Sequence, residues 1–247
     1  MTNCDKQYLK IGYDLDTYND FNEKIAVSLN VSKNINSSML ITGLSGSGKT
    51  TALMLWVARL IQQDTKMEMW VLDFKSEDSF SFIRECKKYF SYIDTIKGFD
   101  IFYKRFQARL NGNDDSRNKL LLVWDEYSSN LNYLQKKDRE LVMEKLSEVI
   151  LMGRSKMVFI ALVSQKLFSE YLKGGARDSI GYVFIIGGTN AVTVDMMMKE
   201  FKDEILNKRF RVGEGVVMTQ GAEIKFFKVP LIKNERKMKE LWVKALS

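Results

Sequence analysis

The chain has no histidine, one proline and two cysteines in 247 residues. The missing histidines exclude Ser-His-Asp triads, histidine general bases and histidine metal sites. Cys4 and Cys86 are far apart and make no C-x-x-C pair, which fits a reducing cytoplasm and buried thiols. Long hydrophobic runs are also lacking. The longest, Met157 to Val163, is far too short to span a bilayer. The start, Met1-Thr2-Asn3-Cys4-Asp5, is polar and carries no secretory apolar core. A cytoplasmic protein with no direct membrane insertion is the expectation. There is no low-complexity tract and no internal repeat.

What is present is a hydrophobic share of 45% and a net charge of +7. The first suffices for the core of one large α/β domain, with or without a small appendage. The second suits an anionic partner such as nucleic acid. The chain is organised around Gly43-Leu44-Ser45-Gly46-Ser47-Gly48-Lys49-Thr50, which reads G-x-x-x-x-G-K-T, the P-loop pattern. The strand-like run Met39-Leu40-Ile41 precedes it and the helical run Ala52 to Leu60 follows. Gly43, Gly46 and Gly48 let the backbone curl into an anion cradle together with Ser45 and Ser47, and the helix that opens at Lys49-Thr50-Thr51 adds its positive end. Lys49 is expected on the β- and γ-phosphates of ATP and the Thr50 hydroxyl on Mg²⁺.

A second anchor is Leu120-Leu121-Leu122-Val123-Trp124-Asp125-Glu126. An unbroken apolar run ending in two acids reads as a central parallel strand of the Walker B kind. Asp125 is expected to hold Mg²⁺ and Glu126 to orient and polarise the attacking water. A carboxylate in that position fits hydrolysis; a small-molecule P-loop kinase would want an arginine-rich lid, and no clear one is present. Met69 to Phe74 is a further buried strand, with Asp73, Lys75 and Glu77 at its C-terminal end, where open α/β sheets keep their ligands. Met157 to Val163 is another, closed by Ser164-Gln165, and a glutamine there can bond the γ-phosphate or the lytic water.

The remaining pattern predicts helices over 79–90 and 99–110, whose aromatic stripes read as core. It predicts a loop at 111–116, an amphipathic helix over 134–152 with Gly153 as its C-cap, a strand over 182–186, and a helix over 191–201 capped by Thr189-Asn190. A hairpin over 213–229 and a basic terminal helix over 234–246, read as a solvated face, follow. Residues 1–37 read as a strand-rich arm on the core, 38–232 as the ATPase core and 233–247 as the basic helix.

Taken in order, Leu40 to Thr50, Leu121 to Glu126, Gly153-Arg154, Phe159 to Gln165 and Gly213-Glu214-Gly215-Val216-Val217-Met218 resemble the motor domain of the FtsK/SpoIIIE translocases within the FtsK–HerA superfamily. The likeness runs over roughly residues 8–232. It implies a three-layer RecA-like fold with a mostly parallel central sheet, a homo-oligomeric hexameric ring, and ATP-driven movement of double-stranded DNA. It also implies an arginine completing the site of the neighbouring subunit, for which Arg154 and Arg177 are the candidates. Departures are Lys166-Leu167 where the family has Arg-Pro, and Val216 where it has an aspartate; no membrane region, linker or winged-helix reader is seen. A plasmid, phage or conjugative setting, with a membrane-complex or relaxase protein partner, suits such a minimal motor. The alternative is a nucleotide-dependent assembly or switch ATPase of a secretion or packaging complex with a protein partner. The stretches 128–133 and 166–178 are expected to be loops facing a channel.

Overall fold

Strands that are apolar along their whole length must be covered on both faces, and five such runs build the centre of this protein. They are β3 (Met39–Thr42), β4 (Glu68–Asp73), β6 (Leu120–Asp125), β7 (Val158–Ser164) and β8 (Tyr182–Ile186). The computed structural model describes residues 7–32, 35–166, 169–173, 175–188 and 191–247. Cys4, Leu167 and the pair Thr189-Asn190 lie outside the described residues. The short β5 (Tyr89–Ser91) joins the five runs, and all six lie parallel in the order β8-β3-β7-β6-β4-β5.

Beyond β8 the ladder turns antiparallel. β9 (Glu214–Thr219) and β10 (Glu223–Lys228) form the expected hairpin, and β1 (Tyr8–Asp14) and β2 (Ala26–Asn30) continue from it. The result is one ten-stranded sheet, β2-β1-β10-β9-β8-β3-β7-β6-β4-β5. Strand alternation sorts side chains to its two faces. Met39, Ile41, Val71, Val123 and Phe184 meet α2 (Lys49–Gln63) and α8 (Glu235–Leu246) on one side. Leu40, Leu72, Trp124, Ile160 and Ile185 meet α3 (Thr95–Leu110), α4 (Tyr127–Tyr133), α5 (Lys136–Met152) and α6 (Ala191–Met198) on the other. This is a three-layer α/β/α core. The small α1 (Leu15–Phe21) and α7 (Lys202–Leu206) complete the helices among the described residues.

Buried tryptophans tie the ends of the chain to α2. Trp56 Nε1 donates to the Ile11 carbonyl at 2.8 Å and its ring packs on Phe184 and Phe227. Trp242 Nε1, from α8, donates to the Met54 carbonyl at 3.0 Å, with its ring against Phe80 and Phe82. Trp242→Ala is therefore expected to lower stability by about 3–5 kcal/mol, read as a shifted midpoint in chemical denaturation. The charges of α8 are largely answered within it: Arg236 pairs with Glu240 and Lys239 with Glu235, each one turn apart.

Two local expectations are corrected, and a third is refined. Residues 79–90 are not one helix. They form a 3-10 turn at Asp78–Ile83 and then β5. Phe80 and Ile83 enter the core beside α8, whereas Phe90 packs on the opposite side of the sheet, and one helix face cannot serve both. Residues 128–133 are no loop, because they lie in α4. Gly153 is the C-cap of α5, as expected, but not in the left-handed conformation. Its φ is −64°, the chain runs on as a 3-10 turn to Lys156, and Met157 takes the left-handed turn at φ 59°. Gly153 is small for another reason: a Cβ there would sit 2.5 Å from the Val158 carbonyl oxygen.

Candidate active site

The P-loop leaves β3 at the C-terminal edge of the parallel strands and ends in α2. Gly43 has φ 154°, and a Cβ on it would fall 2.1 Å from the Ile186 carbonyl oxygen, so the loop can start only with glycine. Gly48, at φ 97°, takes the N-cap position of α2. No side chain caps this helix and no acid occupies its first turn, which leaves its positive end for an anion. The loop is braced from β9, because the Gly213 amide donates to the Ser47 carbonyl at 2.9 Å. The late glycine-rich block is thus a wall of the P-loop.

Lys49 is buried. Its ammonium donates to the carbonyls of Gly43 and Leu44 at 2.7 and 2.8 Å. Burial pushes its pKa down, opposed by the charges of Glu126 and Asp125. Those carboxylates are therefore its electrostatic neighbours. Ser45 and Gly46 are exposed at the loop tip, Thr51 is exposed on α2, and Thr50 is half-buried in its first turn. The Ser47 hydroxyl and the Thr42 hydroxyl at the end of β3 are buried without a partner.

Asp125 closes β6 and is 3% exposed. Burial, then the charges of Glu126 and Asp73, push its carboxyl up to about 7. Asp73 stands opposite Asp125 in the β4–β6 ladder. Its Oδ2 accepts from the Tyr89 hydroxyl at 2.8 Å and the Glu77 amide at 2.9 Å, while its Oδ1 is buried without a partner. Unpartnered oxygens beside an acid whose charge is disfavoured suit a hard divalent cation. The sign for stability follows: a carboxyl raised in the folded state favours folding at low pH and loses that contribution as pH rises through about 7. The nucleotide-free protein is expected to lose on the order of 2 kcal/mol between pH 5 and 8 from this group, and Asp125→Asn to flatten the loss, read by thermal melts across pH.

Glu126 sits in the left-handed region at φ 53° and begins α4. Left-handed backbone at a non-glycine residue persists only where surroundings over-determine it. Its Oε1 accepts from Gln165 Nε2 at 2.9 Å and from the Lys75 ammonium at 3.0 Å, and its Oε2 accepts from the Ser129 hydroxyl at 3.1 Å. The sequence pointed to Glu126 and Gln165 but gave no role to Lys75, Ser129 or Asp73. Their only signal was position, since Asp73 and Lys75 are polar residues at the C-terminal end of a parallel strand.

The arginines lie elsewhere. Arg154 precedes β7 and Arg177 precedes β8, so both stand at the N-terminal edge, with about 20 Å of strand between them and the P-loop. Arg177 bonds Asp178 and the Met196 carbonyl, beside a groove that includes Met197, Met198 and Met218. Neither can reach the site of its own chain.

Comparisons with known proteins bear on the family and the fold. Residues 9–168, more than half the chain, match the family described as "Helicase HerA, central domain". The curated protein "Ftsk domain-containing protein YdcQ" of Bacillus subtilis (strain 168) is 22% identical over 113 residues, which is 46% of this chain and 23% of that protein. Among solved structures, the cytoplasmic domain of the Thermomonospora curvata type VII secretion ATPase EccC superposes with a TM-score of 0.70 at 20% identity, covering 98% of this chain and 31% of that one. The pCW3 conjugation coupling protein TcpA, with ATPgS, gives a TM-score of 0.71 at 12% identity over 96% of this chain and 70% of that one. The genome packaging NTPase B204 of Sulfolobus turreted icosahedral virus 2, with AMPPCP, gives 0.54 at 17% identity over 79% of this chain and 98% of that one. The chain thus spans about a quarter of the curated relative and under a third of EccC.

Proposed function

The chain belongs to the family of the HerA helicase central domain, a P-loop ATPase family with a RecA-like core, and from that premise we propose an ATP-hydrolysing motor of FtsK–HerA type that moves or loads double-stranded DNA. The observation that carries the reading is the meeting, at one sheet edge, of the lysine-bearing amide nest with a carboxylate held by Gln165. In this reading Lys49 leaves the Gly43 and Leu44 carbonyls for the β- and γ-phosphates. The amides from Gly43 to Thr51, with the Ser45 and Ser47 hydroxyls, hold the triphosphate. Glu126 orients a water and accepts its proton, and Gln165 reports on the γ-phosphate through its bond to Glu126. Thr50 and Asp125 are the residues that would hold Mg²⁺, which neutralises charge on the phosphates when bound.

Arg154 and Arg177 face away from this site, so either serves only across a subunit boundary. A closed ring, hexameric in our reading, would supply that boundary. The charge of +7 and the resemblance to a conjugation coupling protein favour DNA as the load. No helix among the described residues is long and apolar enough to cross a membrane, and a membrane-complex or relaxase partner would supply any anchoring. The test is phosphate release with and without duplex DNA, joined to a salt-dependent DNA-binding titration and a mass measurement of the assembly. Stimulation by DNA together with ring formation supports the motor. Hydrolysis that DNA leaves unchanged sinks it.

A second reading has its own support. One of the similar folds, T. curvata EccC, is a type VII secretion ATPase and is described in complex with a signal sequence peptide. A nucleotide-dependent assembly ATPase for a secretion or packaging complex would be stimulated by a protein partner and not by DNA.

A further inference from the structure

Lys75 belongs to none of the roles above, yet it is the charged group nearest the reacting end of Glu126. It follows β4, one strand over from the Walker B strand β6. The turn that carries it is fixed at both ends: the Ser76 amide donates to the Asp73 carbonyl at 3.3 Å, and the Glu77 amide donates to Asp73 Oδ2 at 2.9 Å. Ser76 takes the left-handed conformation at φ 55° to close it. Asp73 is itself anchored by the Tyr89 hydroxyl. The turn therefore presents Lys75 from a rigid base, and its ammonium lies 3.0 Å from Glu126 Oε1.

That contact has a chemical consequence. A general base needs an oxygen lone pair aimed at the attacking water. Here Oε1 already accepts from Gln165 and Lys75, and Oε2 accepts from Ser129. Three donors on one carboxylate hold it still and take three of its four acceptor sites, including both of those on Oε1. The Lys75 side chain is 37% exposed whereas that of Glu126 is 6% exposed. The lysine is thus the mobile partner with a way out, and Glu126 is the fixed one. Lys75 also stands close enough to Lys49 to repel it, which puts its ammonium within the field of anything bound in the P-loop.

We propose that Lys75 is a positioning residue that holds the Glu126 carboxylate in a hydrolysis-incompetent arrangement until the phosphates of a bound nucleotide draw its ammonium away. The triphosphate competes for the same cation through simple Coulomb attraction, and the ammonium leaves Glu126 in only a minority of the nucleotide-bound molecules at any moment, so the contact still limits the saturated rate. Release of Lys75 frees Oε1 on one side while Gln165 keeps the carboxylate in place. The inference rests on the reading of Glu126 as general base.

The experiment compares Lys75→Met, Lys75→Gln and Lys75→Arg with the unmodified chain in steady-state ATP hydrolysis without DNA. The expected result is a rise in kcat of about threefold to fivefold for Lys75→Met and Lys75→Gln, the size of one partly exposed ion pair. KM should stay within about twofold, because ground-state grip lies with the P-loop. Lys75→Arg restores the pair and should restore the low rate. Merely structural damage would lower kcat in both neutral variants and would not be repaired by arginine. Unchanged or reduced kcat in the two neutral variants overturns the proposal. Glu126→Gln separates the two levels. If it hydrolyses ATP at the unmodified rate, the general-base reading falls. If it is inactive while the neutral Lys75 variants gain nothing, only the Lys75 proposal falls.

Discussion

Glu126→Gln is expected to bind ATP and fail to split it, with kcat lower by about 10²–10⁴. The amide keeps the size of the carboxylate; with its oxygen at the Oε1 position it still accepts from Gln165 and Lys75, and its NH2 can donate to the Ser129 hydroxyl. The backbone at φ 53° tolerates it as it tolerates glutamate. What disappears is the proton acceptor. Affinity should change little, because no part of the P-loop grip passes through this side chain. Phosphate release and equilibrium nucleotide binding, measured on the same preparation, check both halves. A variant that still turns over near the normal rate would move the base to another residue; Asp73, Asp125 and Glu214 are the other buried carboxylates at this edge, and Glu214 is paired with Lys228.

Lys49→Ala is expected to do the opposite and remove binding itself. In the nucleotide-free protein the ammonium rests on the Gly43 and Leu44 carbonyls. It is a buried cation waiting for a stronger acceptor. Losing a charge-assisted bond to phosphate should weaken affinity by about a hundredfold, since such bonds contribute roughly 1.5–3 kcal/mol each. The cleanest readout is ligand-induced stabilisation. At a nucleotide concentration about a hundred times Kd, the unmodified chain should gain about 2.7 kcal/mol and melt several degrees higher. Lys49→Ala should show almost none of this shift while its nucleotide-free melting point stays close to that of the unmodified chain. A preserved shift would mean that the nest alone grips the ligand.

Much of the molecule was legible before its shape was known. Asp73, Asp125 and Ser164 all end parallel strands, and a strand that ends at the ligand edge of an α/β sheet presents its last polar residue there. The P-loop was legible because every element it needs is local: strand, glycines, lysine and helix start follow each other within a dozen residues. The stretch 79–90 was misread for the converse reason. Its aromatics have helical spacing, but spacing reports only that side chains share a direction. It cannot say that Phe80 and Phe90 belong to opposite sides of one sheet.

The long central strands, the phosphate-loop pattern and the two acids that close β6 were legible in the residues in their linear order, since burial and hydrogen-bonding needs act over short stretches. Which side chains surround Glu126 was decided only by tertiary structure. Lys75, Glu126 and Gln165 come from three strand ends as many as 90 positions apart, and they meet because β4, β6 and β7 are neighbours in the sheet. The same order sends Arg154 and Arg177 to the far edge. Strand order reflects the packing of whole helices across both faces of the sheet, a property of the assembled layers that no window along the chain contains.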